Sequence, residues 1–154
     1  LGIGPIEIPE YLQRNGLVYN GDGNRLHISQ TERWAEPLDS GIARVVTVNL
    51  AKLLDTQDVR PFPWHPERPP ALGVTIRIVT LNANDREAEL VAEWLVYHAD
   101  TGLPMQRRIS SLQQPMPAGE LQLAAIPEAY SALLLELSRL IAAAIESPQS
   151  RNGH

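Results

Sequence analysis

Two segments of this sequence carry apolar residues at helical spacing, and alternating strands lie between them, which limits the chain to few folds. In residues 38–54 and 127–146 the apolar positions recur three or four residues apart. The first stripe comprises Leu38, Ile42, Val45, Val46, Leu50, Leu53 and Leu54, and the second Tyr130, Leu133, Leu134, Leu137, Ile141, Ala144 and Ile145. Because an apolar stripe must be buried against another element, both helices are predicted to pack on a sheet.

The region between the helices has the alternation of half-buried strands. Three such segments are 71–81, 87–98 and 104–110. The turn residues Asp100-Thr101-Gly102 separate the last two, which indicates an antiparallel meander. Residues 2–8 predict a further strand, and residues 59–62 a short one. The predicted fold is a single α/β domain, with a mixed, largely antiparallel sheet covered on one face by two long helices.

The remaining segments are predicted to be loops, a hairpin and a tail. Residues 17–19 and 25–28 flank the glycine-rich segment 20–24, which predicts a short hairpin. A polar loop is predicted from Leu112 to Ala125. The domain is predicted to span 1–146, with a flexible C-terminal tail over 147–154.

Composition excludes several classes of protein. The net charge is −5 and no run of five basic residues occurs, which argues against a nucleic-acid partner. Cysteine is absent, so disulfides and thiolate metal sites are excluded. No stretch approaches the ~20 apolar residues that a membrane-spanning helix needs.

No catalytic motif is present. The G-x-S-x-G nucleophile elbow and the G-x-G-x-x-G dinucleotide loop are both missing. The histidines His27, His65, His98 and His154 are scattered, although a cluster formed only by the tertiary structure stays open. The acidic run from Asp85 to Glu93 is typical of a solvated sheet face. We therefore expect a non-enzyme with no cofactor and no metal.

Large side chains suggest where the core and the interfaces lie. Trp94 is predicted to be in the core, whereas Trp64 fits packing and partner contact equally well. Trp34 either joins the helix entry to the Tyr11-Leu12 corner or lies at a surface. Asn49, inside the first stripe, is predicted to pair with backbone.

An apolar corner near the N-terminus and two leucines outside the second stripe predict self-association. The candidate interface residues are Tyr11, Leu12, Trp34, Pro37 and Leu38 at the N-terminal corner, and Leu135 and Leu140 on the last helix. Because large exposed apolar patches usually mark an interface, we expect an oligomer.

Four segments in fixed order carry a family resemblance. They are Gly4-Pro5-Ile6-Glu7-Ile8-Pro9-Glu10-Tyr11-Leu12, Asn15-Gly16-Leu17-Val18-Tyr19, Trp34-Ala35-Glu36-Pro37-Leu38-Asp39 and Asn49-Leu50. Together they resemble the PqiC-type auxiliary lipoproteins of ABC transport systems, which accompany MCE-type lipid transporters.

The resemblance implies a periplasmic protein tethered by an N-terminal lipid to the inner leaflet of the outer membrane. It implies a domain similar to the N-terminal domain of TolB, and a homo-oligomeric ring that docks with an MCE-domain transporter subunit. The implied role is lipid transport between membranes and outer-membrane integrity, without catalysis. The lipid-bearing cysteine is expected upstream of Leu1. A stand-alone periplasmic lipid carrier and a small periplasmic enzyme are the alternatives.

Overall fold

A computed structural model describes residues 1–9, 16–20, 26–33, 38–61, 64, 67, 70–119 and 125–146. Its strands are β1 (Gly2–Glu7), β2 (Gly16–Asn20), β3 (Leu26–Arg33), β4 (Arg60–Pro61), β5 (Leu72–Ala83), β6 (Glu87–His98) and β7 (Pro104–Pro115). Its helices are α1 (Leu38–Leu53) and α2 (Ala125–Glu146). The predicted α/β class and both helices are confirmed, and so are the strands, apart from the C-terminal ends of β3 and β7.

Five strands form one mixed sheet in the order β4-β1-β5-β6-β7. The β1 strand runs parallel to both of its neighbours, β4 and β5. The predicted meander is confirmed, because β5, β6 and β7 pair antiparallel along most of their length. Strands β2 and β3 form a separate antiparallel hairpin, which lies against β5.

Both helices cover the same face of the five-stranded sheet. Helix α1 packs on β1 and β4, helix α2 packs on β6 and β7, and the helices contact each other. Every second residue of β6 is buried beneath them, namely Ala88, Leu90, Ala92, Trp94 and Val96. The predicted core role of Trp94 is therefore confirmed, and the opposite face of the sheet has no helix on it within the described residues.

Polar groups close the ends of the regular elements. At the C-terminus of α1, the Thr56 amide donates to the carbonyl of Ala51 at 3.0 Å, while Asp55 adopts a φ of 51°. The backbone at Asp55 is thus in the left-handed region that often ends an α-helix, and aspartate adopts this region more readily than most residues. Between β5 and β6, the Asn84 side chain accepts from the amides of Arg86 and Glu87 at 2.8 and 2.9 Å. These local hydrogen bonds form at the end of α1 and in the turn after β5, where the apolar periodicity of each element also ends.

Three sequence predictions need correction. The second hairpin strand was predicted over 25–28, but β3 runs from Leu26 to Arg33 because Gly16 pairs with Arg33 beyond an irregularity in the register. The third meander strand was predicted to end at Ser110, but β7 continues to Pro115 because its polar second half pairs with β6 from Glu87 to Val91. Asn49 was predicted to pair with backbone, but its Nδ2 donates to the Ser138 hydroxyl of α2 at 3.4 Å. The buried Ser138 in turn donates to the carbonyl of Leu134 at 2.7 Å, so this polar link joins the two helices.

Candidate interaction surfaces

The face of the sheet that bears no helix carries charges of alternating sign on neighbouring strands. Glu7 of β1 lies opposite Arg77 of β5, and Arg77 lies opposite Glu93 of β6. Arg107 of β7 lies opposite Leu95, one diagonal step from Glu93. We call these four residues, Glu7, Arg77, Glu93 and Arg107, the charge row.

The centre of the charge row is a bidentate ion pair. The Arg77 guanidinium donates to the two carboxylate oxygens of Glu93 at 2.5 and 3.2 Å. These hydrogen bonds, together with the negative charges of Glu93 and Glu7, raise the pKa of Arg77 above its ordinary value. Because the pair is solvent-exposed, its net contribution to stability is small, and its chief effect is to orient both side chains.

The two ends of the charge row form no salt bridge with a described residue, although the charge of Glu7 acts on Arg77. Glu7 and Arg107 are both exposed. They line one shallow, open depression of about 340 Å³, together with Pro5, Thr75 and Leu95. A second open depression, of about 530 Å³, lies beyond Glu7 and is lined by Ile6, Ile8 and Asp39. Neither is an enclosed cavity that would hold an acyl chain away from water.

Aromatic rings cover glycines at one end of the sheet. A Cβ added to Gly2 would lie 2.5 Å from the Trp64 ring and 2.6 Å from Pro70. The Trp64 indole donates to the carbonyl of Arg60 at 3.0 Å, which fixes the ring over Gly2. Tyr97 lies across Gly73, its partner in the β5–β6 register, so closely that an added Cβ would overlap the ring. Of the two possibilities left open for Trp64, the structure shows intramolecular packing.

Replacing Gly73 with alanine is expected to destabilise the protein by about 1–3 kcal/mol, because the new methyl group displaces the Tyr97 ring. In a Tyr97→Ala background, the same substitution should be neutral or stabilising, since glycine is unfavourable inside a strand. Urea unfolding of the four proteins of this double-mutant cycle measures the coupling. Equal effects of Gly73→Ala in both backgrounds would contradict the packing described.

The predicted interface residues fall into two groups. Tyr11, Leu12, Trp34 and Pro37 lie outside the described residues, and Leu38 is described only as the first residue of α1. On α2, Leu135 is half-buried and Leu140 is 39% exposed. Leu140 therefore lies at the surface, and the role of the corner residues stays a prediction.

Other apolar side chains are exposed where the sequence analysis did not expect them. Ile109 of β7, opposite Glu93 on the helix-free face, is 69% exposed, and Val79, at the irregularity of β5, is 40% exposed. Leu103, in the turn before β7, is 61% exposed. Val79 follows the buried Ile78, but the sequence could indicate its exposure only once the covered face of β5 was known.

The described residues contain no group of three or more histidine, aspartate or glutamate side chains placed to hold a metal ion. His98 is exposed at the end of β6, and His65 and His154 lie outside the description. Neither α1 nor α2 is long and apolar enough to cross a membrane.

The sequence over residues 1–142 matches the family model of the ABC-type transport auxiliary lipoprotein component. The chain belongs to this family. Its members are lipoproteins, which are held at a membrane through a covalent lipid, and they are accessory components of ABC-type transport. No protein of curated function matches the chain.

Solved structures similar to this one show that the fold recurs at low sequence identity. An uncharacterized protein is 19% identical, with a TM-score of 0.74 over 94% of this chain and 90% of that one. A Xanthomonas campestris protein of the DUF330 family is 10% identical, with the same TM-score over 92% of this chain and 79% of that one. The PelC dodecamer of Paraburkholderia phytofirmans is 8% identical, with a TM-score of 0.55 over 92% and 84%.

Proposed function

We propose that this auxiliary lipoprotein acts without catalysis as a ring-forming accessory of an MCE-type ABC transporter, supporting lipid movement between membranes and outer-membrane integrity. The match to the family model over residues 1–142 carries the proposal, because it covers nearly the whole described domain. In this role the protein is periplasmic and is tethered by its lipid to the inner leaflet of the outer membrane.

The shape of the domain supports a role in binding partners. Its described core consists of apolar side chains from both helices and the sheet, and both depressions that described residues line are open. A stand-alone lipid carrier would need an apolar cavity that shields acyl chains. The accessory role needs only exposed surfaces, and the helix-free face and Leu140 supply them.

The partner in this proposal is the MCE-domain subunit of the same transport system. Purified protein mixed with that subunit should co-elute as a complex in size-exclusion chromatography, at masses that neither component reaches alone. A carrier would instead extract fluorescent phospholipid from vesicles in the absence of any partner. Extraction by the isolated protein, with no complex formed, would favour the carrier over the accessory.

Self-association is the second part of the proposal. The PelC dodecamer shares the fold, and a closed ring requires two different complementary patches on each subunit. We place one patch at the N-terminal corner, formed by Tyr11, Leu12, Trp34, Pro37 and Leu38. The exposed Leu140 and its neighbour Leu135 on α2 contribute to the other.

Replacing Leu140 with aspartate is expected to weaken assembly, because a carboxylate would have to be desolvated at an apolar contact. The fold should survive, since Leu140 is 39% exposed. Multi-angle light scattering at tens of micromolar protein measures the assembly, and circular dichroism measures whether the fold is intact. Val48→Asp is the matched control, because Val48 is an apolar residue of α1 with 43% exposure. A monomeric wild-type protein at that concentration would refute the ring.

A further inference from the structure

The two edges of the five-stranded sheet differ in charge. Beside β7, Arg107 points to the helix-free face, whereas Arg108 lies on the helix side, opposite Trp94 in the register. At the other edge, Glu7 lies on the helix-free face and Asp39 stands at the N-terminus of α1 on the helix side. The outermost strand on that side is the two-residue β4, which leaves the second half of β1 uncovered, and we call this uncovered part the β1 edge. Each face therefore has a positive residue at the β7 edge and a negative residue beside the β1 edge.

Both edges have backbone that lacks a strand partner within the described residues. The β7 strand pairs only with β6. The β4 strand covers β1 only at Gly2 and Ile3, so Ile6 and Glu7 pair with β5 alone. Such edges accept a further strand or a closely apposed chain.

The strand directions allow the sheet to continue from one copy to the next. Strand β5 is parallel to β1 and antiparallel to β6, and β6 is antiparallel to β7, so β1 and β7 run in the same direction. A neighbouring copy can therefore be placed beside β7 by a rotation about an axis roughly along the strands. The same rotation repeats around a ring, which is the operation that a head-to-tail interface requires.

We propose that the β7 edge of one subunit docks against the β1 edge of a second copy, with Arg107 facing Glu7 and Arg108 facing Asp39. The inference rests on the proposed ring and names its contact surfaces. Arg107 and Glu7 are the two ends of the charge row, so the contact continues the alternation of sign from one sheet to the next. Helix α2, which carries Leu135 and Leu140, packs on β7, so the apolar residues proposed for one patch lie on an element next to the charged β7 edge.

Charges on an edge strand also have another common role, which is to prevent indiscriminate strand pairing. That role predicts that removing Arg107 would increase association, whereas the proposed contact predicts a loss. The two readings are therefore separated by the sign of the effect.

The test is charge reversal with rescue, on the same protein used for light scattering. Arg107→Glu and Glu7→Arg should each weaken subunit association at least about tenfold, because like charges then face each other. The double variant Arg107→Glu/Glu7→Arg should recover most of the wild-type assembly. Asp85→Arg and Arg86→Glu, two exposed residues of the β5–β6 turn, are matched controls that should assemble as wild type.

The possible outcomes distinguish a failure of this particular contact from a failure of the proposed ring. A monomeric wild-type protein overturns both. If the wild type assembles and the two single reversals assemble equally well, or if the double variant fails to recover, the ring stands and this contact is overturned. If Arg107→Glu loses only the MCE-domain complex, the β7 edge belongs to that partner and the inference is wrong. Circular dichroism on each variant confirms that the exposed substitutions leave the fold intact.

Discussion

Replacing Trp94 with alanine is expected to lower the free energy of unfolding by about 3–5 kcal/mol. The side chain is 2% exposed in the middle of β6, beneath α2, and its removal leaves a cavity that the surrounding sheet cannot close. Since domains of this size are stable by only about 5–15 kcal/mol, the variant should be close to unfolding at 37 °C. Urea unfolding monitored by far-ultraviolet circular dichroism measures the loss.

Two milder variants separate packing from hydrogen bonding at this position. The Trp94 indole donates to the Ser110 hydroxyl of β7 at 2.9 Å. Ser110→Ala removes the acceptor and should cost about 1–3 kcal/mol, because the partly buried N–H is left without a partner. If Trp94→Ala were no more harmful than Ser110→Ala, the core placement of the ring would be wrong.

Leu137→Ala is the second change with a large expected effect, at about 2–5 kcal/mol. Leu137 is fully buried on the face of α2 that packs against the sheet and α1. Leu140, three residues later on the same helix, is 39% exposed. Leu140→Ala should therefore change monomer stability by less than about 1 kcal/mol.

The pair of leucines also separates folding from assembly. The two substitutions remove the same atoms from the same helix, so helix propensity changes equally and only burial differs. Thermal and urea unfolding at low protein concentration, where assembly contributes least, compares them. Equal losses of unfolding free energy in both variants would mean that the two leucines are equally buried. Helix α2 would then be rotated about its axis from the orientation given above.

The periodicity of apolar residues was enough to predict most of the fold. Both helices and the meander followed from it, because burial on one side of a helix or strand is repeated every 3.6 or 2 residues along the chain itself. The strand β6 was predicted with its observed limits, Glu87 and His98, since turn residues bound it on both sides. The resemblance to a known family also rested on short segments that occur in a fixed order along the chain. The match to the family model over residues 1–142 confirms it.

Strand pairing was less predictable where the local signal was weak. The second half of β7 reads Ser-Leu-Gln-Gln-Pro, which has little strand propensity, and it is extended because β6 offers a complete ladder of hydrogen-bonding groups beside it. The link between Asn49 and Ser138 joins residues 89 positions apart, so no local pattern could indicate it.

The candidate interaction surfaces depended even more on the tertiary structure. The acidic run that includes Glu93 was interpreted as a solvated face, and Glu93 is indeed on the helix-free face, but it is held there by Arg77. The two sheet edges became recognisable only when the strand order put β7 at one side and the short β4, with the part of β1 that it leaves uncovered, at the other.

The sequence by itself therefore determined the elements, the apolar side of each one, and the family, because these depend on residues that are close together along the chain. The tertiary structure alone decided the parallel pairing of β1 with β5, the charge row and the identity of the sheet edges. The physical reason is that register and strand order are set by contacts between distant segments, and a shift of one residue would move every side chain to the other face.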